Sequence, residues 1–216
     1  MVKVKVCGMT NLEDALAAVE AGADALGFNF YTLSSRYIAL EAARVIIREL
    51  PASILCVGVF VNEETPAAVA RMAAESGVGA VQLHGDESPE YCAALGDYQV
   101  IKALRVGKDF MPEVATRYPA RSILLDAFSA RARGGTGEMF DWALARRTRE
   151  LVAQLYLAGG LTPLNVAGAI AAVAPYAVDV CSGVEREPGR KDAARVRAFV
   201  AAVRACEKTL DAKQSR

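Results

Sequence analysis

Two residues of this chain combine a reactive side chain with a place where a buried run stops. Cys7 ends Val4-Lys5-Val6-Cys7 before Gly8, and Asp126 ends Ile123-Leu124-Leu125-Asp126. A thiol can take a proton from carbon where a cationic or helix-terminal neighbourhood favours the thiolate. A carboxyl in an apolar setting can keep its own proton and deliver it to oxygen. Together they would supply the base and the acid of a proton transfer. Each has a plainer use as well: a strand cysteine packs as a small hydrophobe, and a strand-end aspartate caps the loop after it.

A second group of residues suits an anion. Gly134-Gly135-Thr136-Gly137, Gly159-Gly160 and Ser182-Gly183 all follow apolar runs in the last third of the chain. Glycine lets the backbone approach a ligand and turn its amides outward, or it simply makes a tight turn. Gly135, Thr136, Gly137, Gly159, Gly160, Ser182 and Gly183 are therefore the expected phosphate contacts. Neither a G-x-x-x-x-G-K-[ST] loop nor a dinucleotide fingerprint is present, which points to a sugar phosphate. Arg36, in Ser34-Ser35-Arg36-Tyr37, either is a solvated charge or forks onto a carboxylate at the far end of the ligand. His84, the only histidine, would touch substrate or satisfy a loop carbonyl; Asp179 would orient backbone or substrate hydroxyls. One histidine and no carboxylate cluster make neither a metal site nor a metal cofactor expected.

The elements that must position these residues repeat. Short apolar runs at about 2–7, 24–30, 54–61, 79–84, 99–104, 121–126, 154–158 and 177–181 predict strands. Helical patterns are predicted between and after them at about 11–21, 40–49, 66–76, 88–95, 110–117, 140–150, 164–173 and 192–207. Eight such units of about 27 residues fit an α/β fold of one domain, a parallel eight-stranded (β/α)8 TIM barrel, whose strand ends face one catalytic mouth. A doubly wound open sheet is the alternative, because periodicity does not show closure. Thr162-Pro163 is expected to open a helix, and Gly22, Gly77 and Gly96 to close others. The connection over 127–138 is far longer than usual and is expected to be a lid or clamp, or else a tolerated insertion. Residues 1–207 read as the catalytic domain and 208–216 as a frayed tail.

Composition narrows the partners. The chain has 216 residues, 53% hydrophobic, with 25 basic and 25 acidic side chains, so no global field attracts nucleic acid or anionic lipid. No apolar run is long enough to span a membrane. Five cysteines without a C-x-x-C pair, behind an N-terminus lacking an export pattern, suit the reducing cytoplasm. A small-molecule substrate is expected, handled by a monomer or weak homodimer.

In the order they occur, the stretches KVCGMT (5–10), GADALGFNF with SSR (22–36), VGVFVN (57–62), VQLHGDE (81–87), LLDAF…GGTGEMFDW (124–142), LAGGLTPLNV (157–166) and VDVCSGVEREPGRKD (178–192) span nearly the whole chain. On these motifs the chain resembles the phosphoribosylanthranilate isomerases of tryptophan biosynthesis. The resemblance implies an Amadori rearrangement of N-(5′-phosphoribosyl)anthranilate without a cofactor. It makes Asp126 the acid on the furanose oxygen, Cys7 the base at C2′, Arg36 the carboxylate clamp, and the glycine loops the phosphate site. The departures are Tyr31-Thr32-Leu33 before Ser34-Ser35-Arg36, where relatives carry prolines and a lysine, and Cys181 beside Ser182. Other ribose-phosphate barrels fit less well: a pentulose-phosphate epimerase needs a histidine-rich metal site, and the histidine-pathway isomerase an aspartate in place of Cys7. A non-catalytic sensor of phosphate ligands would not need the acid and base at both strand ends.

Overall fold

The structure, a computed structural model, describes residues 1–127 and 142–214, the side chains of 127 and 207–214 excepted. The connection predicted as a lid, with Gly135, Thr136 and Gly137, therefore lies outside the described residues beyond its first position. Strand and helix alternate from end to end: β1 (Lys3–Cys7), α1 (Leu12–Glu20), β2 (Ala25–Asn29), α2 (Leu40–Arg48), β3 (Leu55–Phe60), α3 (Pro66–Ser76), β4 (Ala80–Leu83) and α4 (Pro89–Ala93). Then come β5 (Gln99–Val106), a 3₁₀ segment (Pro112–Arg117), β6 (Ser122–Ala127), α5 (Trp142–Leu151), β7 (Gln154–Leu157), α6 (Val166–Val173) and β8 (Ala177–Val180). A three-residue 3₁₀ turn (Ser182–Val184), β9 (Glu185–Glu187), β10 (Arg190–Lys191) and α7 (Ala193–Gln214) complete the chain.

The first eight strands pair in sequence order, all parallel, and β8 pairs back onto β1 with Lys3 opposite Ala177 and Val6 opposite Val180. That closure excludes the open sheet. Pleating sends alternate residues to opposite sides of the wall. In β5, Ile101 and Ala103 join the inner core, whereas Val100, Leu104 and Val106 face the helices. The inner core is rich in small residues such as Ala25, Ala80, Ala103 and Ala177. The space they leave admits buried polar side chains on the inner face, among them Lys5, Gln82, Ser122 and Asp179.

Helix starts follow local chemistry. Asn11, Thr65 and Ser88 each accept an amide hydrogen bond three residues on, from Asp14, Ala68 and Tyr91, and so satisfy donors the helix cannot. Three expectations need correction. The fifth helix is a short 3₁₀ segment, because Tyr118 precedes Pro119 and is held extended, at φ −94° and ψ 127°. α6 begins at Val166: Thr162 caps a turn before it, accepting from Leu164 N at 3.3 Å. Gly22 and Gly77 have left-handed backbones after their helices, at φ 96° and 81°, but Gly96 does not. The β9–β10 pair, turned at Pro188-Gly189, was not predicted.

Candidate active site

Parity and strand direction put the reactive side chains at one rim. Cys7 follows Lys5 on the inner face of β1, Asp126 follows the inner-core Leu124 on β6, and both lie at the C-terminal ends of their strands. His84 and Cys181 continue the inner faces of β4 and β8 past Gln82 and Asp179.

Cys7 sits above a buried ion pair. Lys5 is fully buried, and its Nζ donates to Asp179 Oδ1 at 2.9 Å. Burial pulls the ammonium down, but Asp179 and Cys7 outweigh it and hold Lys5 above its ordinary value. Burial likewise lifts Asp179, against the pull of Lys5. The contact is an ammonium on a carboxylate. Cys7 is raised by burial, with Lys5 pulling it back, Asp179 raising it and Lys191 lowering it. Gly27 makes room: a Cβ there would stand 2.6 Å from Cys7 Sγ and 3.1 Å from Lys5 Nζ.

Asp126 is not isolated. His84 Nε2 lies 3.3 Å from its Oδ2, and Gln82 lies 2.8 Å from His84 Nδ1. With the Gln82 amide donating to Nδ1, His84 carries its proton on Nε2 and donates it to Asp126. Among the described residues the buried Gln82 carbonyl oxygen has no hydrogen-bond partner. Arg105, the register partner of Asp126 on β5, reaches the His84 carbonyl at 3.3 Å.

Arg36 is already engaged along one edge. Its Nε and Nη2 donate to the two carboxylate oxygens of Glu185 at 3.1 and 2.7 Å. Buried Lys191 donates to Glu185 Oε1 at 2.9 Å, and the Gly189 amide to the same oxygen at 3.2 Å. Burial would raise Glu185, but Arg36 and Lys191 overcome it and hold the carboxyl down at about 2. Arg36 is therefore fixed, with Nη1, bonded to Ser35 Oγ at 3.2 Å, on its other edge. The Cys181 thiol, pushed up to about 12 by burial, lies 3.7 Å from both Lys191 Nζ and Glu185 Oε1.

Next to Cys181 the loops after β7 and β8 touch. A Cβ on Gly183 would run into the Leu161 carbonyl oxygen, so only glycine lets them close up. Gly159 and Gly160 are both left-handed, at φ 83° and 66°, and no atom of the described residues stands within 4 Å of where a Gly160 side chain would be. Among the described residues no group of three or more histidines, cysteines and carboxylates could hold a metal ion.

The family model described as "N-(5'phosphoribosyl)anthranilate (PRA) isomerase" matches residues 4–202. The chain belongs to this isomerase family. It is 55% identical over 201 residues to an N-(5'-phosphoribosyl)anthranilate isomerase of Geobacter sp. strain M21, covering 93% of this chain and 97% of that one. The crystal structure of phosphoribosyl anthranilate isomerase from Thermotoga maritima superposes with a TM-score of 0.88 at 47% identity, covering 95% of this chain and all of that one. A phosphoribosylanthranilate isomerase solved with reduced 1-(o-carboxyphenylamino)-1-deoxyribulose 5-phosphate matches at TM-score 0.84 and 45% identity.

Of the residues singled out in sequence, this isomerase brings Cys7, His84, Asp126 and Asp179 around one barrel mouth, and Arg36 beside it on Glu185. Gly159, Gly160, Ser182 and Gly183 lie on the two touching loops. Sequence reasoning missed Lys5, Gln82, Glu185 and Lys191. Lys5 had a signal: a lysine two residues before Cys7 in a strand shares its inner face. Glu185 and Lys191 had none beyond their motif, since their partner Arg36 lies 149 positions from Glu185.

Proposed function

We propose that this isomerase converts N-(5′-phosphoribosyl)anthranilate into 1-(2-carboxyphenylamino)-1-deoxyribulose 5-phosphate, a step of L-tryptophan biosynthesis, with Asp126 as acid and Cys7 as base. The observation that carries the assignment is a thiol and a carboxyl at the same rim of one closed barrel.

Asp126 gives its proton to the furanose ring oxygen as the C1′–O bond breaks. The anthranilate nitrogen supplies the electron pair, leaving a protonated imine. The new cation next to Cys7 offsets the burial that disfavours its thiolate, so the thiol releases its proton to solvent, from which Asp126 regains one at the end of the cycle. That thiolate removes the C2′ proton, electrons flow to the iminium nitrogen, and the enolamine tautomerises to the ketone. The iminium is its own electron sink, so this route uses no cofactor and no metal.

Arg36 would hold the anthranilate carboxylate on the edge that Glu185 leaves open, and Glu185 sets the plane of the guanidinium. The backbone amides of Gly159, Gly160, Ser182 and Gly183, together with Gly135, Thr136 and Gly137, would hold the phosphate. His84 and Asp179 act next to the acid and the base. In this reading the chain works on a small molecule in the cytoplasm as a monomer or weak homodimer, without nucleic acid or membrane.

The test follows the fluorescence of freshly made phosphoribosylanthranilate. Cys7→Ala and Asp126→Asn should each abolish its decay while the circular dichroism spectrum and melting temperature stay close to those of the parent. Full activity in either variant would remove that residue from the chemistry.

A further inference from the structure

An ammonium sealed inside a barrel is expensive, and a buried ion pair adds no more stability than two apolar side chains of the same volume. The Lys5–Asp179 pair therefore needs a reason other than stability. Lys5 has no exposed side-chain surface, and its carboxylate partner is 174 positions away in the chain. Asp179 is the register partner of Lys5 on β8, and Gly27 is the register partner of Cys7 on β2. Gly27 shows what lies between: a single missing side chain leaves the space into which both the Cys7 sulfur and the Lys5 nitrogen project.

We propose that Lys5 is a positioning residue for the base: its ammonium, kept charged by Asp179, faces the Cys7 sulfur and stabilises the thiolate that takes the C2′ proton. Among the described residues, the charged and titratable groups around the sulfur are Lys5 on its own strand, Asp179 and Cys181 from the β8 side, Lys191 from β10, and Arg36 from the loop after β2. Lys191 and Arg36 are both tied to Glu185. Asp179 opposes Lys5 at the sulfur, but more weakly. Among the described residues Lys5 is thus the cation that acts most strongly on the sulfur. A lone buried lysine would shed its proton, so the carboxylate behind it is what keeps the charge in place. The proposal rests on Cys7 as the base, yet its test does not need turnover.

The thiolate, not the thiol, reacts with iodoacetamide. Alkylation of Cys7 in the full chain is followed across about pH 6 to 10 by peptide mass spectrometry, which separates it from the other four cysteines. Lys5→Met should move the Cys7 profile to higher pH and slow its alkylation about tenfold near neutrality. Because that variant strands Asp179, Lys5→Met/Asp179→Asn is measured beside it; with both charges gone it should fold and show an upward displacement in the same direction but smaller, since Asp179 no longer opposes the thiolate. In turnover both variants should lose kcat far more than they change KM, and recover rate as the pH is raised. A folded double variant whose Cys7 profile matches the parent's overturns the proposal and leaves the pair a structural plug. Should Cys7→Ala turn over normally, the base assignment falls, while the alkylation profiles still decide whether Lys5 governs the sulfur.

Discussion

Glu185 is the residue on which most of the mouth's charge converges. One buried carboxylate accepts from Arg36, Lys191 and the Gly189 amide, and the backbone carbonyl of the same residue accepts from Arg195 at 2.6 Å. Replacing it with glutamine keeps the shape but leaves Lys191 a buried cation without a counter-charge. Breaking such a pair costs about 3–5 kcal/mol. The pH dependence has a definite sign. Glu185 titrates at about 2 folded against 4.5 ordinarily, so its contribution is complete above about pH 4.5 and disappears as the pH falls towards 2. The size of that contribution is about 3 kcal/mol. Urea unfolding of the parent should weaken between about pH 6 and pH 3, and Glu185→Gln should be weak at both and flatter between them. The same variant frees Arg36 from its plane, so KM for the substrate should rise more than kcat falls. Equal pH slopes in parent and variant would show that the carboxylate does not stabilise the fold.

At the level of elements, the site depends on two loops that meet through a glycine. Gly183→Ala has no room, because the Leu161 carbonyl already occupies the place of the added methyl, so the loops after β7 and β8 must part. The barrel does not pass through that contact. The expected outcome is a tenfold or larger rise in KM, about 1.4 kcal/mol of lost binding, with the melting temperature nearly kept. Inhibition by inorganic phosphate should weaken in parallel; unchanged phosphate inhibition would move the phosphate elsewhere. Gly183 was legible in sequence as a glycine after an apolar run, though the atom that demands it was not. The strands were legible for a similar reason: runs such as Leu55-Cys56-Val57-Gly58-Val59-Phe60 are apolar on both faces, as a wall between two cores must be. Lys102 shows where that reading stops. Within its strand it breaks an apolar run, and only the folded chain shows its Nζ on Glu87 Oε2 at 2.7 Å and on the Gly85 carbonyl at 2.8 Å, pinning the turn that carries His84. Partners that are distant in sequence leave no local trace.

On the scale of the whole molecule, the barrel is closed twice, once by β8 on β1 and once by α7 across the outside of that seam. Val196, Phe199, Val200 and Val203 of α7 are buried in the outer core. Arg204 donates to the Val2 carbonyl at 2.7 Å and to Asp24 at 2.9 Å, and Asp24 also accepts from Lys3 and the Val4 amide. Each of the four apolar side chains is worth roughly 1.5–3 kcal/mol when buried. Their sum is comparable with the roughly 5–15 kcal/mol that holds a whole domain together. A chain ended after Lys191 should therefore lose cooperative melting altogether, although all eight barrel strands are present. We propose 1–207 as the complete catalytic unit, since the last of these contacts falls at Arg204. A chain ended after residue 207 should melt within about 2 °C of the full chain and turn over at the same rate. A large drop there would mean that the end of α7, whose backbone stays helical to Gln214, carries contacts the barrel needs. Cooperative melting of the shorter chain would show instead that the parallel wall closes unaided, and that the last helix only shields it.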